Sequence, residues 1–257
     1  MSSTKIKFFG TGPAWPIPRL GCKCRTCEDA RIPNSRSRRT RSSLYIEHGD
    51  KKILVDCGPD FYHQMIREGV EDLDYVLISH AHNDHVGSLE DVRTIMQRRG
   101  VGMPLVTSKE VFKELKKKFR YVEEFDERLL AYGENLEIDD LKISFVPVRH
   151  GSYTLAFTFE GSKRFAYFSD ISHPLRKEYL QKIMNMDYLV LDGSEIMKKS
   201  PEFHLSLEKQ LEMAREAKAK NIIFTHIGHR CPPHEELERI VRLVYSESKI
   251  AYDGMVI

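Results

Sequence analysis

Apolar positions in this chain fall into short runs, separated by turn residues and by stretches with helical spacing. Residues 5–9 (KIKFF) read as a strand ending in Gly10-Thr11-Gly12-Pro13, where two glycines permit a tight turn. Residues 43–48 (SLYIEH) and 51–56 (KKILVD) pair as a hairpin through Gly49-Asp50. A short helix over 60–68 and a strand over 74–79 follow. Helical periodicity returns at 88–98 and 108–119, each opened by a serine suited to N-capping, with a short strand at 104–107 between them. Three strand-like runs occupy 141–148, 153–159 and 163–168. Beyond them the pattern predicts a helix over 174–184 and a buried strand over 187–191, then a long amphipathic helix over 206–219 with Ser206 as its cap. A buried strand at 221–225, a proline-led helix at 233–245 and a last strand at 249–257 complete the chain. Strands alternating with helices, without internal repeat or linker, imply one α/β domain over residues 1–257.

One strand ends in an unusual cluster. In residues 75–85 (YVLISHAHNDH) the apolar run stops at Ser79, and His80, His82, Asp84 and His85 follow on the loop leaving its C-terminal end. Imidazole and carboxylate are ligands for Zn²⁺, Mn²⁺ and Fe, and donors this dense can surround a metal from a single loop. Three later positions repeat the arrangement. His150 follows LKISFVPVR, Asp170 follows KRFAYFS and His226 follows NIIFT, each just past the end of a predicted strand. In α/β folds sites gather at the carboxyl ends of strands, because the sheet positions the loops there.

Composition narrows the partners. Of 257 residues 41% are hydrophobic and 30% charged, with a formal net charge of +2, less basic than a dedicated nucleic-acid binder. Nucleic acid is therefore left open but disfavoured. No apolar run approaches the roughly 20 residues that span a bilayer. The N-terminal MSSTKIKFFG moves straight into a strand without the apolar core of a signal peptide. The expectation is a cytoplasmic protein without a membrane partner, with a homodimer left open. Five cysteines fit that compartment as ligands and free thiols. Cys22, Cys24 and Cys27 form C-x-C-x-x-C, a spacing at which thiolates converge readily on a metal. They lie in a long Pro-, Gly- and Arg-rich loop over 14–41, which needs an anchor inside a packed domain.

The ligand pattern resembles the metallo-β-lactamase superfamily, whose signature is H-x-H-x-D-H, and the resemblance runs along the whole chain. It implies a four-layer αββα sandwich with two mixed β-sheets and a dinuclear hydrolytic site at the sheet edges. By that resemblance His80, His82 and His150 bind one divalent metal. Asp84, His85 and His226 bind the other, with Asp170 bridging and Asp84 also counted among the catalytic groups. Asp56, in VDCG, looks like the buried aspartate that orients such ligands from behind; the plain alternative is a turn-forming aspartate before glycine. The donor types do not separate Mn from Zn or Fe.

The segment GTGPAWPIPRLGCKCRTCEDAR is similar to the phosphoribosyl 1,2-cyclic phosphate phosphodiesterases of the carbon–phosphorus lyase pathway. In that family three such cysteines and a late histidine hold a structural zinc, which implies Cys22, Cys24, Cys27 and His229, with Cys231 competing for the fourth place. His204, in EFHLSLEKQ, matches a histidine at the active-site mouth of these enzymes and of the tRNA 3′-end endonucleases. The resemblance implies a proton donor to the leaving alkoxide or a hydrogen-bond donor to the phosphoryl oxygens; a capping or surface histidine is the alternative. Among the basic residues at 36–41, Arg39 and Arg41 are the candidates for gripping a substrate phosphate, against a solvated basic loop.

Taken together, the resemblance implies a dinuclear phosphodiesterase that opens a small cyclic phosphate, phosphoribosyl 1,2-cyclic phosphate-like or a cyclic nucleotide, by attack of a hydroxide held between the metals. One alternative is a tRNA 3′-processing endonuclease, though no long Gly/Pro-rich insertion like its tRNA-clamping arm is present. Another is a relative of the B protein of pyrroloquinoline quinone biosynthesis, which carries a similar cysteine loop. A non-catalytic scaffold on the same fold is disfavoured because all seven ligand positions are filled.

Overall fold

In the computed structural model, which describes residues 2–198 and 203–257, two mixed sheets lie face to face. The first runs in chain order through Thr4–Gly10 (β1), Ser43–His48 (β2), Lys51–Val55 (β3), Tyr75–Leu77 (β4), Pro104–Ser108 (β5) and Asp126–Leu130 (β6). The second is built from Leu136–Ile138 (β7), Leu141–Arg149 (β8), Tyr153–Glu160 (β9), Arg164–Tyr167 (β10), Tyr188–Asp192 (β11), Asn221–Thr225 (β12) and Ser248–Ile250 (β13), again neighbour to neighbour. Pairing is antiparallel over β1–β3 and β7–β10, and parallel over β3–β6 and β10–β13. The helices are Arg25–Asp29 (α1), Phe61–Glu68 (α2), Asn83–Val86 (α3), Leu89–Arg99 (α4), Lys109–Lys118 (α5), Lys177–Leu180 (α6), Leu207–Glu216 (α7) and His234–Val244 (α8). None of the described helices is long and apolar enough to cross a membrane.

Strands β9–β12 of the second sheet are buried on both faces, which explains their continuous apolar runs. Along β11, Val190 points into the core between the sheets while Leu189 and Leu191 point to the helical side. Along β12, Ile223 opposes Ile222 and Phe224 in the same way. The inter-sheet core takes Phe8, Leu44, Ile46, Phe145, Phe157, Phe159 and Phe165, whereas Leu211 and Met213 of α7 and Leu237 and Val241 of α8 cover the outer face. The four-layer α/β sandwich is the expected one. Ser108 and Ser206 cap their helices through side-chain bonds to the backbone N–H of Val111 (3.3 Å) and Lys209 (3.4 Å).

Four departures from the sequence pattern have simple causes. β6 (DERLL) and β7 (LEI) were not expected, because they are short, largely exposed edge strands with too few apolar positions to signal themselves. The expected helix at 174–184 shrinks to α6 followed by one 3₁₀ turn over Gln181–Ile183. The loop at 14–41 contains the short α1. The last strand ends at Ile250, and the chain then crosses to the first sheet. There the Ile6 and Ile257 N–H groups donate to each other's carbonyls (3.1 and 2.9 Å), and Phe8 N–H donates to the Met255 carbonyl (2.9 Å).

Phe159 and Phe165 stack at 4.3 Å between ring centroids in the inter-sheet core. Phe159→Ala should therefore lower the unfolding free energy by about 3–5 kcal/mol. Urea denaturation should show it as a lower midpoint at an unchanged m-value.

Candidate metal centre

Six strands deliver polar groups to one edge of the sandwich. Asp56 follows β3, the loop 79–85 follows β4, His150 follows β8, Asp170 follows β10, Asp192 closes β11 and His226 follows β12. The local chain is shaped for this. Asp56 and His226 both adopt left-handed backbone conformations (φ 63° and 57°), at a cost on the order of 1–3 kcal/mol each for non-glycine residues. Gly58 lets the neighbouring loop approach, since a Cβ there would stand 2.0 Å from the Asp84 carbonyl oxygen.

Asp56 is fully buried. Its carboxylate accepts hydrogen bonds from Ser79 N–H (2.8 Å), Ser79 Oγ (2.7 Å) and His85 Nδ1 (2.8 Å). With Nδ1 committed there, His85 turns its Nε2 to the centre. His80, His82 and His150 form one donor set, and Asp84, His85 and His226 form another; within each, the potential ligand atoms lie within 4.8 Å of one another. Asp170 stands between them. Its carboxylate oxygens are 2.9 Å from His85 Nε2, 3.6 Å from His150 Nε2, 3.6 Å from His226 Nε2 and 4.0 Å from His80 Nε2. The structure thus brings together all seven sequence candidates.

The donors fit cations. His85 Nε2, His226 Nε2 and Asp170 Oδ2 are buried without hydrogen-bond partners among the described residues. His85 Nε2 and Asp170 Oδ2 are close but not aligned for a hydrogen bond. Such buried orphans are costly unless something converges on them, and nitrogen and oxygen donors at these separations suit ions with bonds of about 2.0–2.2 Å. Burial alone would raise the Asp170 carboxyl, yet His226 and His85 hold it well below the usual range. Burial opposes a proton on His85, but Asp56, Asp170 and Asp84 together overcome this and push its pKa well above the ordinary value. Carboxylate charge is therefore concentrated here, and a proton or a metal cation neutralises it. His80 is driven well below the histidine range by burial and by the His85 charge, so its ring is a neutral donor.

His204 lies beside the donors with its Nδ1 2.6 Å from Asp192 Oδ2. Asp192, fully buried, escaped the sequence reading. Its carboxylate also accepts from Ile171 N–H (3.1 Å) and Ser194 N–H (2.9 Å), and its main-chain oxygen accepts from Gln210 Nε2 of α7 (2.6 Å). The signal was present: DYLVLD ends a buried strand in a carboxylate, as KRFAYFSD does. His204 and His226 line a cavity of about 280 Å³ that opens past Trp15, Arg19, Phe203 and Arg230.

Cys22, Cys24, Cys27 and His229 form a second cluster. The Sγ atoms of Cys22 and Cys24 lie 3.5 and 3.6 Å from His229 Nδ1. Burial pushes the Cys27 thiol up to about 11, a penalty on the thiolate that a cation would offset. Cys231 is buried elsewhere, with Sγ 3.9 Å from the Gly193 carbonyl, and does not compete.

The arginine expectation needs correcting. Arg39 is 2% exposed, and its guanidinium is spent on Thr11 Oγ1 (2.8 Å), His234 Nδ1 (3.1 Å) and the Ala251 carbonyl. Arg41 donates to the Ala14 carbonyl (3.0 Å) and pairs with Asp60 (3.1 Å). Both brace the N-terminal loop, because a guanidinium with five donors can satisfy loop carbonyls that no strand pairs. Neither lines the cavity beside His204.

A family model described as the beta-lactamase superfamily domain matches residues 51–227, a span holding all seven metal candidates and His204. The chain belongs to the metallo-β-lactamase superfamily. Within it, a solved diphosphatase from the PhnP family is 29% identical, with a TM-score of 0.87, covering 99% of this chain and 96% of its own. An octanoyltransferase of Porphyromonas gingivalis is 28% identical over 96% of the chain, which spans only 50% of that longer relative. A ribonuclease Z of Methanopyrus kandleri is 23% identical over 85% of this chain and 91% of its own length. Superfamily membership and the donor sets make this chain a metal-dependent hydrolase.

Two metal-content measurements follow. Asp56→Asn should weaken retention of metal at the histidine–aspartate centre by ~10–100-fold, read by mass spectrometry after dialysis against graded chelator. Cys22→Ser/Cys24→Ser should empty the cysteine cluster of its metal, read as a lower metal content per chain by the same mass spectrometry.

Proposed function

We propose that the chain hydrolyses the phosphodiester of a small phosphorylated substrate, foremost a cyclic phosphate, at a two-metal centre. One cation would be held by His80, His82 and His150, the other by Asp84, His85 and His226, with Asp170 shared. The observation that carries this reading is one buried carboxylate flanked by two three-donor sets, with the histidine His204 alongside. Cations bound there supply Lewis acidity, bringing water from a pKa of about 15.7 towards 7 and neutralising phosphoryl charge.

The protein's own groups do the rest. Asp56 fixes the tautomer of His85, and Asp192 fixes that of His204 by taking its Nδ1–H. In the protonated ring, the Nε2 proton of His204 then faces the leaving oxygen and can be given to it. Burial opposes a charge on this ring, but Asp192 outweighs it and raises the pKa above the ordinary 6.5. The acid form is thus present below that raised value and is lost as pH rises through it.

A second reading, cleavage at the 3′ end of precursor tRNA, is favoured by the ribonuclease Z relative. The PhnP-family diphosphatase brings a third bond type, the phosphoanhydride, into range. A panel of phosphoribosyl 1,2-cyclic phosphate, 2′,3′-cyclic nucleotides, a diphosphate diester and precursor tRNA separates them. Cleavage of tRNA with the cyclic phosphates untouched would overturn the first reading.

His204→Ala should lower kcat by ~10²–10⁴-fold while metal content stays the same. The wild-type fall in kcat on the alkaline side should disappear in the variant. Unchanged turnover would remove His204 from the mechanism.

A further inference from the structure

The cavity beside His204 has walls that the hydrolytic centre does not explain. Trp15 is 62% exposed and Phe203 65% exposed, both at its lining, where large aromatic rings serve no core. The Arg19 guanidinium lies over the Trp15 ring at 4.9 Å. Arg230 lines the same cavity, and no carboxylate of the described residues stands within 4.0 Å of either arginine. Arg19, His229 and Arg230 line this one cavity together.

We infer that this cavity is a nucleotide subsite, in which Trp15 stacks the base and Arg19 and Arg230 receive a phosphate. Guanidinium groups with no carboxylate partner among the described residues call for an anion, since planar donor forks match phosphate oxygens. An exposed indole beside them calls for a flat ring, because stacking on aromatic side chains accepts any base. At about 280 Å³ the cavity lies just below the roughly 300–1,000 Å³ of small-molecule pockets, the size of one nucleotide unit rather than a strand. His204 shares the cavity, so on the hydrolytic reading above, on which this assignment of direction rests, the nucleotide lies on the leaving-oxygen side of the scissile phosphorus. The metal pair then reads the phosphorus, and Trp15 reads what is attached to it.

Trp15 is the one tryptophan of the chain, so its fluorescence reports the subsite directly. Titration of the metal-loaded protein with AMP should quench that emission saturably, and ribose 5-phosphate should bind at least about tenfold more weakly. By calorimetry, Trp15→Leu should lose about tenfold or more in AMP affinity and keep its affinity for ribose 5-phosphate; Trp15 is exposed, so the fold does not depend on it. Equal affinities for AMP and ribose 5-phosphate, or a variant that binds AMP as the wild type does, would overturn the subsite. Turnover of bis-p-nitrophenyl phosphate, run in parallel, tests the hydrolytic reading separately. AMP discrimination without turnover keeps the subsite and removes the reaction; turnover without discrimination does the reverse.

Discussion

The site depends first on the buried carboxylate of Asp56. A charge with no access to water is tolerated only when its lone pairs are taken, and here Ser79 and His85 supply three hydrogen bonds. Those bonds join the end of β3 to the loop leaving β4, so the same contact that stabilises the anion sets the shape of the histidine loop. Ser79 also reaches across the sandwich. Its carbonyl accepts from Leu155 N–H at 2.9 Å, tying the loop to β9 of the opposite sheet. Removing the carboxylate would leave several buried donors unpaired and the imidazole of His85 free to turn.

Asp192 plays the matching part in the second sheet. It holds the Nδ1 of His204 and faces His226 Nδ1 at 3.6 Å, beyond hydrogen-bond reach. Gln210 of α7 grips the Asp192 carbonyl and also the Leu205 carbonyl (2.8 Å), so the helix that begins at Ser206 secures the segment carrying His204. Each sheet thus contributes one buried aspartate that aims histidines, and Asp170 lies between the two systems. Carboxylates at strand ends, rather than the histidines they aim, set the precision of the arrangement.

Much of this was legible in the chain because strand-ending ligands repeat. The runs before His80, His150, Asp170 and His226 are apolar and unambiguous, since the sheets bury them on one or both faces. Asp192 belongs to the same pattern but is the last residue of its strand, so it reads as the end of the run rather than as a separate group. The edge strands β6 and β7 could not be read, because exposed strands held by one neighbour carry no alternation. Arg39 and Arg41 misled for a physical reason: a guanidinium can equally bind substrate oxygens or backbone carbonyls, and only the packing decides. The packing chose Thr11, Ala14, Ala251 and Asp60.

The turn after β12 carries both His226 and His229, so one short stretch of backbone serves the histidine–aspartate cluster and the cysteine cluster together. Its first residue is held in a left-handed conformation, and Ile227 N–H is pinned to the Thr11 carbonyl at 2.8 Å. A stretch so constrained has little slack to absorb a displacement at either end. The thiols and the hydrolytic centre are therefore mechanically linked, and disorder introduced at the cysteine loop is felt at an imidazole of the other cluster. The fold makes the order of the N-terminal loop a condition for the geometry of the reaction site.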